Sequence, residues 1–411
     1  MPCLLKADYF LDTEGEGEHN GRNLMRSECN TMKQEIAQTS FLAIDRAIDD
    51  ILSKLSKKSA DYDAVVFFAS SSYDFPVLSA EIKKVFTKAE VIGVSCYGEI
   101  SPNGFTKQTL LVSALSCQKT RFSGVLIEDV NKFPIVDKAK IEAAATKCGI
   151  SLHSKTSHKD AFAMTFIDGI SLSEETFLSL FYAIIQNDDF IITGGSAGDD
   201  YKFQQTYVSY NGQTALHGAV VLFVKTSCTF DIRTINPFIS TGRKRMTITK
   251  SDATNRIIYE IDGINAKKRY AEALGVPENR AETVMDIHPI GRVFSGKIFN
   301  SCVIGFSPAG AINVYTRVLP NTVIDVLDPG DSVKIASDHF ADIHKKIPHP
   351  GCVFIINCLL CTTTFEKLSV CGNMASAYKA AFPVFAGFSS FGEQIGKLNV
   401  NQTIISIVIG E

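Results

Sequence analysis

Apolar positions along this chain alternate between two periods. From Ser40 to Lys58, SFLAIDRAIDDILSKLSKK carries Phe41, Ile44, Ile48, Ile51, Leu52 and Leu55 at the three- and four-residue spacing of an amphipathic helix, with Ser40 placed to cap it. The unbroken apolar run VVFFAS then reads as a strand and LSAEIKKVF as a helix. After VIGVSCYGE and its partner strand, FSGVLIEDV and KAKIEAAATKCG continue the alternation of strand and helix. AFAMTFIDG is the next strand, SEETFLSLFYAII a helix whose early glutamates suit the positive end of its dipole, and FIITGGSAGDDY a strand and turn before the strand HGAVVLFV.

The basic polar stretch STGRKRMTITKSDATN, after about residue 240, marks a domain junction. Beyond it RIIYEIDG opens a second half, and INAKKRYAEALG is a helix closed by Gly275 and Pro277. Strands around NSCVIGF, INVYTRVL and VIDVL follow, then the turn DPGD, the helix ASDHFADIHKKI and the strand GCVFIINC. The expected class is α/β, with mixed α+β as the alternative: a sheet-rich protein of two domains, 33–245 and 246–411, after an acidic, Gly-rich mobile extension over 1–32. The pattern does not give strand order.

One turn recurs. GVSCYGEI at 93–100 and GFSSFGEQ at 387–394 share G-x-S-x-aromatic-G-E, and a Gln-Thr pair followed by an apolar run lies nine positions beyond each glutamate, at Gln108 and Gln402. DAVVFFAS precedes the first copy as CVFIINC precedes the second, which points to an internal duplication. GGSAGDD at 194–200 holds the same place in a third stretch, with Asp where the others have Glu.

Composition narrows the partners. The chain has 411 residues, 45% of them hydrophobic, and a net charge of −3 with no basic stripe, so neither a nucleic-acid nor an anionic membrane surface is indicated. Its apolar runs are strand-length, well short of the roughly 20 residues of a membrane helix. The first residues lack the features of a secretory signal. Eleven cysteines scattered through apolar contexts read as core thiols of a reducing compartment, so a cytoplasmic location is expected. Cys358 and Cys361 form a CxxC that a redox or metal role also allows.

The repeated turns are the candidate chemistry. In GxSxxGE two residues separate Ser from the second Gly and a strand follows, so the nucleophile elbow of a hydrolase does not fit. Glycine-bounded backbone N–H groups with a Ser and a carboxylate suit a small anionic or zwitterionic ligand, although Ser and Glu can also merely cap their own turns. The candidate ligand residues are Gly93, Ser95, Glu99, Asp168, Gly195, Ser196, Asp199, Asp200, Gly387, Ser389 and Glu393. No GK[ST] follows GGSAGDD, which argues against nucleotide hydrolysis, and the eight histidines form no zinc spacing. His217, at the start of an apolar strand, and His288, in HPIG, are the candidates for an axial haem ligand, which needs an apolar cleft rather than a motif.

Taken in order, VIGVSCYGEI, FIDG to ITGGSAGDD, YEIDGINAKKRYAEALG, HPIG, and AGFSSFGEQ with NVNQT resemble the FIST-N plus FIST-C sensory module over about residues 35–411. The resemblance implies a non-enzymatic cytoplasmic signal-input protein that binds an amino acid or similar metabolite. It implies as partners a histidine kinase, a chemoreceptor-type transducer or a cyclic-di-GMP enzyme. One similar branch binds haem and senses nitric oxide. Cys361 departs from the arginine common in relatives at that place. The expected function is a small-ligand sensor whose polar turns line a cleft between domains. An enzyme using Asp199 or Glu393 as general base on a small metabolite, and a ligand-free scaffold, are the rivals.

Overall fold

Ala64–Ser70 is a run of seven residues without one exposed position, the mark of a strand covered on both faces. Two further strands, Ala161–Ile167 and Pro350–Cys358, are buried in the same way over most of their length. The fold is built around these three. The computed structural model describes residues 31–132, 135–153, 159–242, 245–294 and 297–411. The expected mobile extension lies outside them up to Asn30, while Met32 is buried in the central core.

The chain writes one unit three times. The first is β1 (Lys33–Thr39), α1 (Ile44–Lys54), β2 (Ala64–Ser70), α2 (Phe75–Val85), β3 (Glu90–Cys96), the hairpin β4 (Glu99–Ser101) and β5 (Gly104–Thr106), and β6 (Leu110–Ser116). The second is β7 (Thr120–Ile127), α3 (Ile135–Lys147), β8 (Ala161–Ile167), α4 (Glu174–Ile185), β9 (Ile191–Ser196), the hairpin β10 (Val208–Tyr210) and β11 (Gln213–Ala215), and β12 (Ala219–Thr226). The third opens with β13 (Phe230–Ile235) and is interrupted by an insert: β14 (Phe238–Ile239), β15 (Arg245–Asp252), β16 (Ile257–Ile261), β17 (Ile264–Asn265), α5 (Ala266–Leu274), α6 (Ala281–Val284), β18 (Ile290–Phe294), β19 (Lys297–Ser301), β20 (Val303–Phe306), β21 (Ile312–Val314), β22 (Val323–Val326) and β23 (Asp328–Pro329). It resumes with α7 (Ser332–Lys346), β24 (Pro350–Cys358), α8 (Leu359–Lys367), α9 (Cys371–Ala381), β25 (Ala386–Ser390), the hairpin β26 (Glu393–Ile395) and β27 (Leu398–Val400), and β28 (Ile404–Gly410).

Each unit pairs its two central strands in parallel, β2 with β3, β8 with β9 and β24 with β25, and flanks them with antiparallel strands. None keeps its hairpin. The sheets run β1-β6-β2-β3-β10-β11, β27-β26-β9-β8-β12-β7 and β13-β28-β24-β25-β4-β5, so the first unit gives its hairpin to the third, the third to the second and the second to the first. The crossing strands sit in matching register: Glu99 opposite Phe388, Val208 opposite Val94, and Glu393 opposite Gly195.

The three sheets turn their inner faces onto one core. Phe68 stacks on Phe388 at 4.7 Å and meets Phe166 and Phe354 edge-on at 6.3 and 6.4 Å, so a single ring touches side chains of all three. Helices cover the outer faces: α1 and α2 on the first sheet, α3 and α4 on the second, α7, α8 and α9 on the third. The insert forms an eight-stranded sheet around its own small core, in which Tyr270 of α5 is fully buried. Asn265 caps α5 and Gly275, at φ +68°, ends it where the sequence places its stop.

The first helix begins at Ile44 rather than beside Ser40. The Tyr73 hydroxyl holds the Phe41 carbonyl at 2.9 Å, and extended Ala43 stands at the N-cap. Because Phe68 fills the point where the sheets meet, Phe68→Ala is expected to cost about 3–5 kcal/mol. Urea unfolding of the full chain measures this as a lower midpoint.

Candidate functional site

The repeated turns are where each unit hands its hairpin on, and they interlock as a ring. The Ser95 carbonyl accepts from Gly198 N at 2.8 Å, that of Ser196 from Phe391 N at 3.0 Å, and that of Ser389 from Tyr97 N at 3.4 Å. In return Ser95 N donates to the Tyr207 carbonyl, Ser196 N to Gly392 and Ser389 N to Gly98. The side chains complete the knots: Ser95 Oγ donates to the Gly198 carbonyl and accepts from Tyr207 N, both at 2.8 Å, and Ser389 Oγ meets Thr362 Oγ1 at 2.8 Å. Glycine is required by close approach. A Cβ on Gly387 would lie 2.0 Å from the Ile355 carbonyl, one on Gly93 2.1 Å from the Phe67 ring, and one on Gly195 2.6 Å from Ile356.

The third turn differs from the sequence reading. Val208, not Asp199, occupies the register position of Glu99 and Glu393, because residues 199–206 form an added loop. Asp199 organises that loop: its carboxylate accepts from the backbone N–H groups of Lys202, Phe203, Gln204 and Gln205 at 2.5–3.1 Å. Asp200, at φ +55°, accepts from Ser70 Oγ and Ser71 Oγ at 2.9 and 2.5 Å. Asp168, at the end of β8, holds the next loop by accepting from Ile170 N, Ser171 N and Thr206 Oγ1.

Each donated hairpin packs against a helix that follows the receiving unit's first parallel strand, β5 on α9, β11 on α2 and β27 on α4, creating three related niches. Phe105, Thr214 and Asn399 hold the same hairpin position, opposite Ile100, Ser209 and Gln394 respectively. In the niche of the third unit Phe105 packs on Phe365 and Tyr378, with ring centroids 6.5 and 6.1 Å away. In that of the first unit Pro76, Thr214, Leu216 and His217 border an open groove. In that of the second unit a cavity of about 240 Å³ remains, lined by Gly169, Ile170 and Leu172, by Glu174 and Phe203, by Phe391, Asn399 and Asn401 from the hairpin, by Cys358–Leu360, and by Arg256 and Tyr315 from the insert.

None of the eleven expected ligand residues lines this cavity, but Ser196 reaches its wall. The Ser196 hydroxyl donates to Glu174 Oε1 at 3.3 Å and accepts from Gln394 Nε2 at 3.0 Å, which also donates to Asn399 Oδ1 at 3.3 Å. Arg256, in the turn between β15 and β16, donates to the Tyr315 carbonyl at 2.6 Å, the Leu172 carbonyl at 3.2 Å and Glu175 Oε2 at 2.5 Å. Glu174 Oε2 is 3.8 Å from the same guanidinium and makes no hydrogen bond; the oxygens of Asn401 and Gln394 are likewise buried and unpartnered. Burial raises the Glu174 carboxyl to about 7, against the pull of Arg256.

Sequence reasoning passed over these residues. The sequence gives Glu174 a place at the positive end of its helix dipole, and Asn399 and Asn401 enter only within the NVNQT of the resemblance. The signal lies in comparing the two copies: FTKQT has Phe105 and Lys107 where NVNQT has Asn399 and Asn401, so a core position has turned polar.

The cysteines among the described residues are free, and eight of the nine, including Cys358 and Cys361, are buried. His217 is exposed, with Nδ1 3.5 Å from Asp168, on the groove rimmed by Glu128, Asp129, Lys132, Asp137 and Lys140. His288 Nδ1 bonds the Leu327 carbonyl at 3.0 Å and lies 3.2 Å from Asp328. Neither histidine lines the cavity, and the polar groove around His217 is a poor match for the apolar cleft that haem requires.

Glu99 and Glu393 are wholly buried beside the ring, and Thr109 and Thr403, of the two Gln-Thr pairs, donate to them. Ser390 Oγ also donates to Glu393, at 2.5 Å. Burial raises both carboxyls to about 8. Below the ordinary carboxylate range both are protonated, folded or unfolded, and their stabilising contribution is complete. As the pH rises towards 8 the unfolded chain ionises and the folded one resists, so stability falls, levelling off above that. Urea midpoints are therefore expected to decline from about pH 5 to pH 8. Glu99→Gln with Glu393→Gln should flatten the decline, a difference on the order of a few kcal/mol at pH 9.

A search of curated proteins returns no match. Among solved structures, a cyanuric acid hydrolase from A. caulinodans is similar over 48% of this chain and 72% of its own, with 6% identity and a TM-score of 0.28, a likeness too loose to carry an argument. Residues 63–264, from just before β2 to the start of β17, match the family model of the FIST N domain.

Proposed function

We propose that this protein is a sensor that binds a small ligand in the cavity between the second unit, the hairpin of the third and the insert, and that a separate signalling partner reads the bound state. The observation that carries this reading is the cavity itself, a space of about 240 Å³ lined by Glu174 and Asn401, each of which has a buried, unpartnered oxygen. Left empty, such groups cost free energy; a ligand that satisfies them recovers it. The FIST family is a family of sensory domains, which supports sensing as the use of the site.

Three separate segments meet at the cavity, so a ligand that touches all of them favours one arrangement of the insert against the ring. The second half of the chain takes the FIST-C part in this reading, and a histidine kinase, a chemoreceptor-type transducer or a cyclic-di-GMP enzyme in the cytoplasm would receive the signal. No helix among the described residues is long and apolar enough to cross a membrane. Proton transfer by Glu174 to a bound metabolite is a second reading, favoured by its carboxyl lying near neutrality.

Asn399→Phe tests the site by copying its related niche, where Phe105 fills the space. Native mass spectrometry and thermal shifts against a metabolite extract are expected to show a ligand on the parent chain and none on the folded variant. Equal binding by both would remove the cavity from the function, and conversion of the ligand would move the reading to an enzyme.

A further inference from the structure

Glu174 lines the cavity with one carboxylate oxygen that has no hydrogen-bond partner. Glu174 and Glu175 flank the Arg256 guanidinium, Arg292 of the insert adds a second buried cation that interacts with Glu175, and Asp168 adds a negative charge from behind the wall. Arg256 is already engaged, by Glu175 at 2.5 Å and by two backbone carbonyls. Glu174, with 3% of its surface exposed, faces it at 3.8 Å without a hydrogen bond. From the third unit come Cys358 and from the insert Tyr315, and burial raises both groups, so neither adds charge near neutral pH.

We propose that the site takes the ammonium group of a small organic amine, with Glu174 as its counter-ion, Asn401 as a second acceptor and an aromatic wall around its apolar body. The inference rests on the reading of the cavity as the ligand site. Three acceptors are buried and unpartnered: Glu174 Oε2 and Asn401 Oδ1, of residues that line the cavity, and Gln394 Oε1. An N–H-rich cation meets such groups with charge-assisted hydrogen bonds. The rings of Phe203 and Phe391, 4.9 Å apart, and of Tyr315 supply apolar area and faces that favour a cation. The space equals about eight water volumes, which limits the ligand to a small amine.

A proton is coupled to this binding. The Glu174 carboxyl, at about 7, is part-protonated in the free protein near neutral pH, and an ammonium ion stabilises its ionised form. Amine binding therefore releases up to one proton, from the carboxyl to buffer, and weakens as the pH falls below 7.

Calorimetric titration of the full chain at pH 7, in buffers of different ionisation enthalpy, tests this with phenethylamine and butylamine, their carboxylate counterparts phenylpropionate and butyrate, and zwitterionic phenylalanine. The expected result is binding of at least one amine with proton release, no binding of the carboxylates, and phenylalanine weaker than phenethylamine. Glu174→Gln, which keeps the side chain's shape, should lower amine affinity at least tenfold and abolish the proton release, while urea unfolding verifies its fold. Preference for the carboxylates or for phenylalanine, unchanged binding by Glu174→Gln, or no amine bound overturns the amine assignment. If Asn399→Phe still blocks a metabolite that Glu174→Gln binds normally, the sensor reading stands and only the amine falls. If Asn399→Phe changes nothing either, both fall.

Discussion

Everything in this molecule depends on the exchange of three hairpins around a shared core. A unit that gave its hairpin away and received none would leave the open edge of β3, β9 or β25 exposed, with a row of unpaired N–H and C=O groups. The exchange closes these edges in rotation. Three serine carbonyls, each accepting from the turn of another unit, lock it at the centre. The need for glycine at 93, 195 and 387 follows, since strands that cross at such short range leave no room for a side chain.

A scaffold that repeats three times is free to use its repeats differently. One niche is filled by Phe105, one opens into a charged groove, and one keeps a cavity whose wall has turned polar. The last is touched by the insert, which brings Arg256 across from a separate sheet. The asymmetry that function requires was thus obtained by changing hairpin residues and adding one excursion, without disturbing the ring.

Much of this was legible in the chain. Unbroken apolar runs gave β2, β8 and β24, and the turn with its Gln-Thr pair revealed the repetition. The expected mixed α/β class is what the structure shows. The exchange was not legible, because a hairpin carries no local mark of which sheet will receive it; that is decided by core faces hundreds of residues apart. For the same reason the repeated serines and carboxylates looked like ligand groups. They are polar because they sit where backbone edges meet, and Glu99 and Glu393 answer to Thr109 and Thr403 rather than to a cleft. Asp199 was misaligned because the added loop follows it, so sequence order and strand register diverge there.

Hairpin exchange also sets the order in which the chain can become native. The first sheet borrows from the second unit, the second from the third, and the third from the first, so no unit can finish its sheet from its own residues. The strand that β13 and β24 both need, β28, is made only when the chain has reached Gly410. Cooperative closure must therefore wait until synthesis has passed that residue. Until then long apolar strands with unpaired edges lie open, a state of high contact order and slow topology. A ribosome-bound chain of this design is a natural client for chaperones, and its halves are poor candidates for independent life.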